Sequence, residues 1–207
     1  GDDCMNYSAG IGAAAAKNTT TAGSWVFDNY FAHGHGGIVT GSHTGSWIQD
    51  ILAEDNVMVG TNIGYRAKTG ATVGGGARNV IFRDSALKNM AEQGFMFTSN
   101  YTDPNAAKKY ASAGPGQFRD ITIENCTIAG TKAAAIEVDG LSQMPHTNLT
   151  CRNLAFTGAQ PLVISNLTNS TFTQVTLDGK TVKPNGETKA AAAKKPDKKK
   201  KGSKHTK

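Results

Sequence analysis

Gly23-Ser24-Trp25-Val26-Phe27 returns as Gly45-Ser46-Trp47-Ile48-Gln49, 22 positions later. A fixed period predicts a stacked architecture, in which each unit buries its apolar side against the next. A looser frame of small or polar residue, branched apolar, any residue, apolar continues down the chain. It appears at Asn79-Val80-Ile81-Phe82-Arg83, Asp120-Ile121-Thr122-Ile123-Glu124, Asn153-Leu154-Ala155-Phe156 and Gln174-Val175-Thr176-Leu177-Asp178. Within it Ile121, Ile123 and Val175, Leu177 alternate with polar neighbours, the period of two of a strand with one buried face.

A second apolar pulse follows several units: Phe95-Met96-Phe97, Ala135-Ile136-Glu137-Val138 and Leu162-Val163-Ile164. Two or three short strands per unit predict an all-β fold, a right-handed parallel β-helix. The alternative is an antiparallel sandwich, but its hairpin signal, Asn-Gly, first occurs at Asn185-Gly186. Intervals longer than the basic period are expected to leave the solenoid as loops, at residues 9–22, 64–77, 98–116 and 140–148. Such loops wall a groove, and a long groove suits a polymer.

Composition separates a folded part from a tail. The net charge is +6, yet residues 187–207 hold nine lysines against Glu187 and Asp197, so residues 1–186 are close to neutral. The expectation is one β-helical unit over 1–186 and a disordered Lys-rich tail over 187–207. Contact of that tail with nucleic acid by charge alone is the weakest functional reading. No stretch approaches the ~20 apolar residues that span a membrane. The chain opens on Gly1-Asp2-Asp3-Cys4 without an initiator methionine, and reads as the middle of a longer protein. Cys4, Cys126 and Cys151 lack metal-ligand spacing and an even count, so buried free thiols are expected. Seven Asn-x-Ser/Thr sequons, among them those at Asn125, Asn148, Asn166 and Asn169, fit an Asn/Thr-rich composition and do not establish secretion.

Three short motifs carry chemistry. Asp2 and Asp3 are adjacent carboxylates, the raw material of glycoside hydrolysis; neighbours on a regular strand point to opposite faces, so both serve one groove only if the backbone bends. His35 lies between Gly34 and Gly36, where another chain segment can approach closely; His33 and His43 are alternatives in the same stretch. Arg66 and Lys68, at i and i+2 with Ala67 turned inward, form a clamp for a ligand bearing carboxylates. No His or carboxylate spacing indicates a metal, and no cofactor is expected.

Gly1-Asp2-Asp3, Gly34-His35-Gly36 and Arg66-Ala67-Lys68 follow the order of the Gly-Asp-Asp, Gly-His-Gly and Arg-Ile-Lys motifs of the polygalacturonases of glycoside hydrolase family 28. Asn29-Tyr30-Phe31, Gly41 to Gly45, Ile51 to Asn56 and Gly74 to Val80 resemble the bacterial exo-acting branch. The resemblance runs from residue 1 to about 184. It implies a right-handed parallel β-helix that hydrolyses α-1,4 linkages of polygalacturonate with inversion, in a secreted or periplasmic setting. It further implies Asp2 as general acid, Asp3 sharing water activation, His35 tuning a proton near Asp2, Arg66 and Lys68 holding a substrate carboxylate, and Tyr101 contacting substrate. Two departures stand out: Ala67 replaces the commoner isoleucine, and the family's Asn-Thr-Asp, whose aspartate shares water activation, occurs nowhere in the chain. It is expected upstream of Gly1, and a site without it is expected to be impaired. The other readings are a β-helical module that binds acidic polysaccharide without cutting it, and a calcium-dependent pectate lyase, for which no calcium-binding carboxylate cluster is evident.

Overall fold

The apolar pulses become strands that repeat along one axis. The computed structural model describes residues 2–103 and 109–184; the proposed tail at 187–207 and the unit's limit at 186 lie outside the described residues. Met5–Tyr7, Ile38–Thr40, Tyr65–Lys68, Phe95–Thr98, Ile136–Asp139 and Val163–Ser165 pair in that order, all parallel, into one face. Thr21–Phe27, Ile48–Glu54, Gly76–Arg83, Gln117–Thr131, His146–Thr157 and Thr171–Leu177 form a second parallel face. Tyr30–Ala32, Val57–Val59 and Ala86–Met90 pair in turn and join the far half of Gln117–Thr131. Parallel neighbours reached by one crossover per turn make a right-handed parallel β-helix. Antiparallel pairing among the described residues is confined to Lys180–Thr181 against Thr176–Leu177 and the bridge Leu141 to Met144, which excludes the sandwich.

Each coil bends at residues of positive φ. Asp50, Asn79, Asp120, Asn148 and Asn169 form one row of bends, and Asp28, Asp55, Asp84, Asn125 and Asn153 the other, all with φ of 50–57°. Asp and Asn tolerate this left-handed conformation best among residues with a Cβ. Stacked coils then bring their side chains together: Asn148 donates to Asp120 at 2.7 Å, Asn125 to Asp84 at 3.0 Å and Asn153 to Asn125 at 2.9 Å. The sequons at Asn125, Asn148, Asn166 and Asn169 all coincide with positive-φ residues, so backbone geometry accounts for those asparagines.

The coil register differs from the Gly-Ser-Trp repeat. Thr21 pairs with Ile48 and Trp25 with Leu52, an offset of 27, while Trp47 sits in the turn before its strand with φ 72°. The frames at Val80 and Ile121, and at Leu154 and Val175, do stack; Ile51 with Val80 and Ile121 with Leu149 replace the other expected pairs. The bend residues, not the tripeptide, set the register, since a shift by one would drive left-handed backbone onto β-branched side chains. Residues 64–77 are not all loop, because Tyr65–Lys68 is a strand and the excursion covers only 69–75. Residues 99–103 and 109–116 lie between the strands Phe95–Thr98 and Gln117–Thr131, within the span expected to leave the coil.

Inside the solenoid, Tyr65 and Phe97 meet edge-on at 5.6 Å, Phe82 and Phe95 at 5.5 Å, and Phe95 and Phe156 at 6.1 Å. All five rings are fully buried, and each contributes roughly 2–3 kcal/mol by removal from water. Outside, Glu54, Arg83, Glu124 and Arg152 alternate in charge up the stack; Arg83 pairs with Glu54 at 2.6 Å, and Arg152 with Glu124. Cys126 and Cys151 are buried free thiols, and burial pushes the Cys126 thiol up to about 12. Cys4 departs from expectation: it is exposed, and its thiol donates to the His33 carbonyl at 2.9 Å.

Candidate active site

The face that begins with Met5–Tyr7 turns alternate side chains outward. Asn6, Val39, Arg66, Met96, Glu137 and Val163 lie in one row across its strands, with Lys68, Thr98, Asp139 and Ser165 in a second row two positions on. Ala67 is fully buried between Arg66 and Lys68, so the two cations share the outer surface as their spacing predicts.

Asp3 meets those cations. Its side chain is only 7% exposed, with Lys68 Nζ 2.9 Å from Oδ2 and an Arg66 terminal nitrogen 3.9 Å from Oδ1. Asn6 adds an amide donor to Oδ2 at 2.8 Å. A carboxylate removed from water needs such compensation, and here two positive charges and an amide supply it. Lys68 is engaged tightly by Asp3, whereas Arg66 reaches it only at longer range.

Asp2, 85% exposed, is held differently: the Asp3 N–H donates to its Oδ1 at 2.9 Å, and His35 Nδ1 lies 3.1 Å from the same oxygen. The Asp3 N–H first, and His35 second, hold this carboxyl below the usual range. Both aspartates face one cleft because the chain bends at Cys4 before the strand starts at Met5. Gly34 makes the approach of the His35 loop possible. Its φ is +121°, and a Cβ there would lie 2.7 Å from the Asp2 carbonyl and 2.8 Å from Cys4 Sγ. His35 N–H then donates to the Asp2 carbonyl at 3.3 Å.

Tyr101 closes the other side. Its N–H donates to the Thr69 carbonyl at 3.0 Å, and its ring centre lies 5.3 Å from Lys68 Nζ and 5.7 Å from Arg66 Cζ, within cation–π range. Burial raises the Tyr101 phenol above its ordinary value. The resulting cleft, about 440 Å³, is lined among others by Asp2, Asp3, Asn6, His43, Tyr101 and Asp103.

All six residues singled out in the sequence therefore converge. His33 does not join them; His43 does, 3.5 Å from Asp103, to which Ser42 also donates at 3.0 Å. Sequence reasoning missed Asn6, whose amide meets Asp3, and Asp103, which 61 positions separate from Ser42. Asp2, Asp3 and His35 place one ligand atom each within 4.8 Å of one another. Two carboxylates that close are tighter than the ~6.5–9.5 Å that admits water between the pair in most inverting glycosidases. Asp2 and Asp3 alone therefore do not flank a water in that way.

The profile of Glycosyl hydrolases family 28 matches residues 1–176. The exo-poly-alpha-D-galacturonosidase of Dickeya chrysanthemi is 38% identical over 209 residues, covering 89% of this chain and 35% of that protein. The family 28 exopolygalacturonase structure from Yersinia enterocolitica superposes with a TM-score of 0.80 at 44% identity, covering 91% of this chain and 34% of that one. A hyperthermoactive exopolygalacturonase structure from Thermotoga maritima, at 21% identity and a TM-score of 0.69, shares the fold. The chain thus spans about a third of the length of these first two relatives.

Proposed function

Since the chain belongs to glycosyl hydrolase family 28, we propose that its cleft serves the hydrolysis of α-1,4-galacturonosidic bonds in polygalacturonate, in an exo-acting, inverting protein. The observation that carries this is the pairing of Asp3 with Lys68 and Arg66 beside the Asp2–His35 couple. Two carboxylates in unlike surroundings suit unlike tasks. Asp3, fixed among cations, takes part in activating water. Asp2, with His35 as its proton partner, protonates the leaving oxygen. The lowered Asp2 carboxyl opposes that role in the unliganded cleft, and an anionic uronate bound beside it works the other way, by favouring the protonated form. Arg66, the less engaged cation, grips the substrate carboxylate, and Tyr101 offers its ring and phenol to a sugar. A secreted or periplasmic setting accords with a polymeric substrate; among the described residues no helix is long and apolar enough to cross a membrane.

The same lowered carboxyl favours a second reading, a cleft that holds acidic polysaccharide without cutting it. Titration of oligogalacturonate, followed by product analysis, separates the two. Release of galacturonate that Asp2→Asn reduces at least ~100-fold supports hydrolysis; binding without product supports the module. Binding that survives Arg66→Ala combined with Lys68→Ala refutes the clamp in both.

A further inference from the structure

The outward rows reverse their charge along the groove. Arg66 and Lys68 stand on one rung, Met96 and Thr98 on the next, and Glu137 and Asp139 on the one after, in strict parallel register. Rungs are ~4.8 Å apart, so the carboxylates lie roughly 10 Å from the cations along the stack. Their hydrogen-bond partners among the described residues are neutral. Gln93 donates to Glu137 Oε2 at 2.6 Å, while Asn100 at 2.7 Å, Ser165 at 3.3 Å and Thr98 at 3.4 Å donate to Asp139. Among the described residues neither has a lysine, arginine or histidine within ion-pair distance, in contrast to Asp3. Both side chains remain partly exposed, so the negative charge faces whatever lies over that rung.

A linear polymer that crosses parallel strands runs along the stack, and one that extends from Arg66 towards the later strands passes over Glu137 a ring or two further on. We infer that Glu137 and Asp139 form a further subsite that takes an uncharged ring, a methyl-esterified uronate or a neutral sugar, and disfavours an ionised uronate. The inference rests on the proposed galacturonan substrate. It gives the groove a polarity: the clamp selects a charged carboxylate, and the rung beyond selects against a second one. Sugar hydroxyls, which donate, suit a surface of carboxylate acceptors, whereas a second carboxylate adds only repulsion.

The test uses the whole chain with hexagalacturonate and its partly methyl-esterified counterpart, titrated calorimetrically at low salt. The isosteric pair Glu137→Gln with Asp139→Asn removes the charge and keeps the shape. It is expected to bind the unesterified hexamer about three- to tenfold more tightly, with a smaller gain for the esterified one, and the difference should fade near 1 M salt. An unchanged ratio between the two hexamers, with melting and clamp intact, overturns the subsite. Undiminished binding in Arg66→Ala with Lys68→Ala, or no binding of either hexamer to the unaltered chain, overturns the galacturonan proposal itself and the subsite with it.

Discussion

His146 ties the stability of the solenoid to mild acid. Its ring is 2% exposed, packed against Phe118 with centroids 4.9 Å apart. Nδ1 accepts the Phe118 N–H at 3.0 Å, which fixes the proton on Nε2, directed to Ser99 Oγ at 3.5 Å; Ser99 in turn donates to the Gly116 carbonyl at 2.8 Å. Protonation would put a charge in the core and break the Phe118 bond. Burial accordingly lowers this histidine to about 4, from an ordinary value of 6.5. Between those limits the unfolded chain binds the proton and the folded one does not, so stability rises with pH from 4 to 6.5 and is flat above. At ~1.36 kcal/mol per unit, acidification from pH 7 to 4 costs about 3 kcal/mol through this residue. Urea unfolding at half-unit steps measures it. His146→Gln, whose amide oxygen can accept the same N–H, should be less stable at pH 7 yet lose about 3 kcal/mol less between pH 6.5 and 4. Equal slopes in the two proteins over that window refute the argument.

Other substitutions probe separate parts of the structure. Phe95→Ala, at the meeting of two aromatic contacts in the core, is expected to cost about 3–5 kcal/mol in urea unfolding, a bite out of the ladder that neighbouring coils cannot fill. Asp55, with φ 53°, distinguishes geometry from contacts: Asp55→Gly should be close to neutral, and Asp55→Ala less stable than Asp55→Gly by about 1 kcal/mol. Lys68→Met leaves Asp3 without its nearest cation, and should lower both the melting temperature and oligogalacturonate affinity, the latter at least about tenfold.

The sequence disclosed the class of fold through apolar pulses and period-two alternation, and the structure turns those pulses into strands at Phe95–Thr98, Ile136–Asp139 and Val163–Ser165. It misled on register, because Gly-Ser-Trp falls once within a strand and once in a turn, while the residues that fix the coils, such as Asp55, Asp84 and Asn125, look like ordinary polar positions until their φ is known. Asp2, Asp3, His35, Arg66 and Lys68 were legible because each belongs to a short motif. Asn6, Asp103 and the acidic rung of Glu137 and Asp139 were not: they gain meaning only from which strand lies beside which, a relation between coils rather than within one.

The central claim is that Asp2 and Asp3, set among His35, Arg66 and Lys68, form a glycosidic cleft. Release of reducing ends from polygalacturonate by this chain, compared with Asp2→Asn under the same conditions, tests it most directly. The account predicts a release that Asp2→Asn brings down to background. Release at the same rate in both proteins, whether fast or nil, would contradict it.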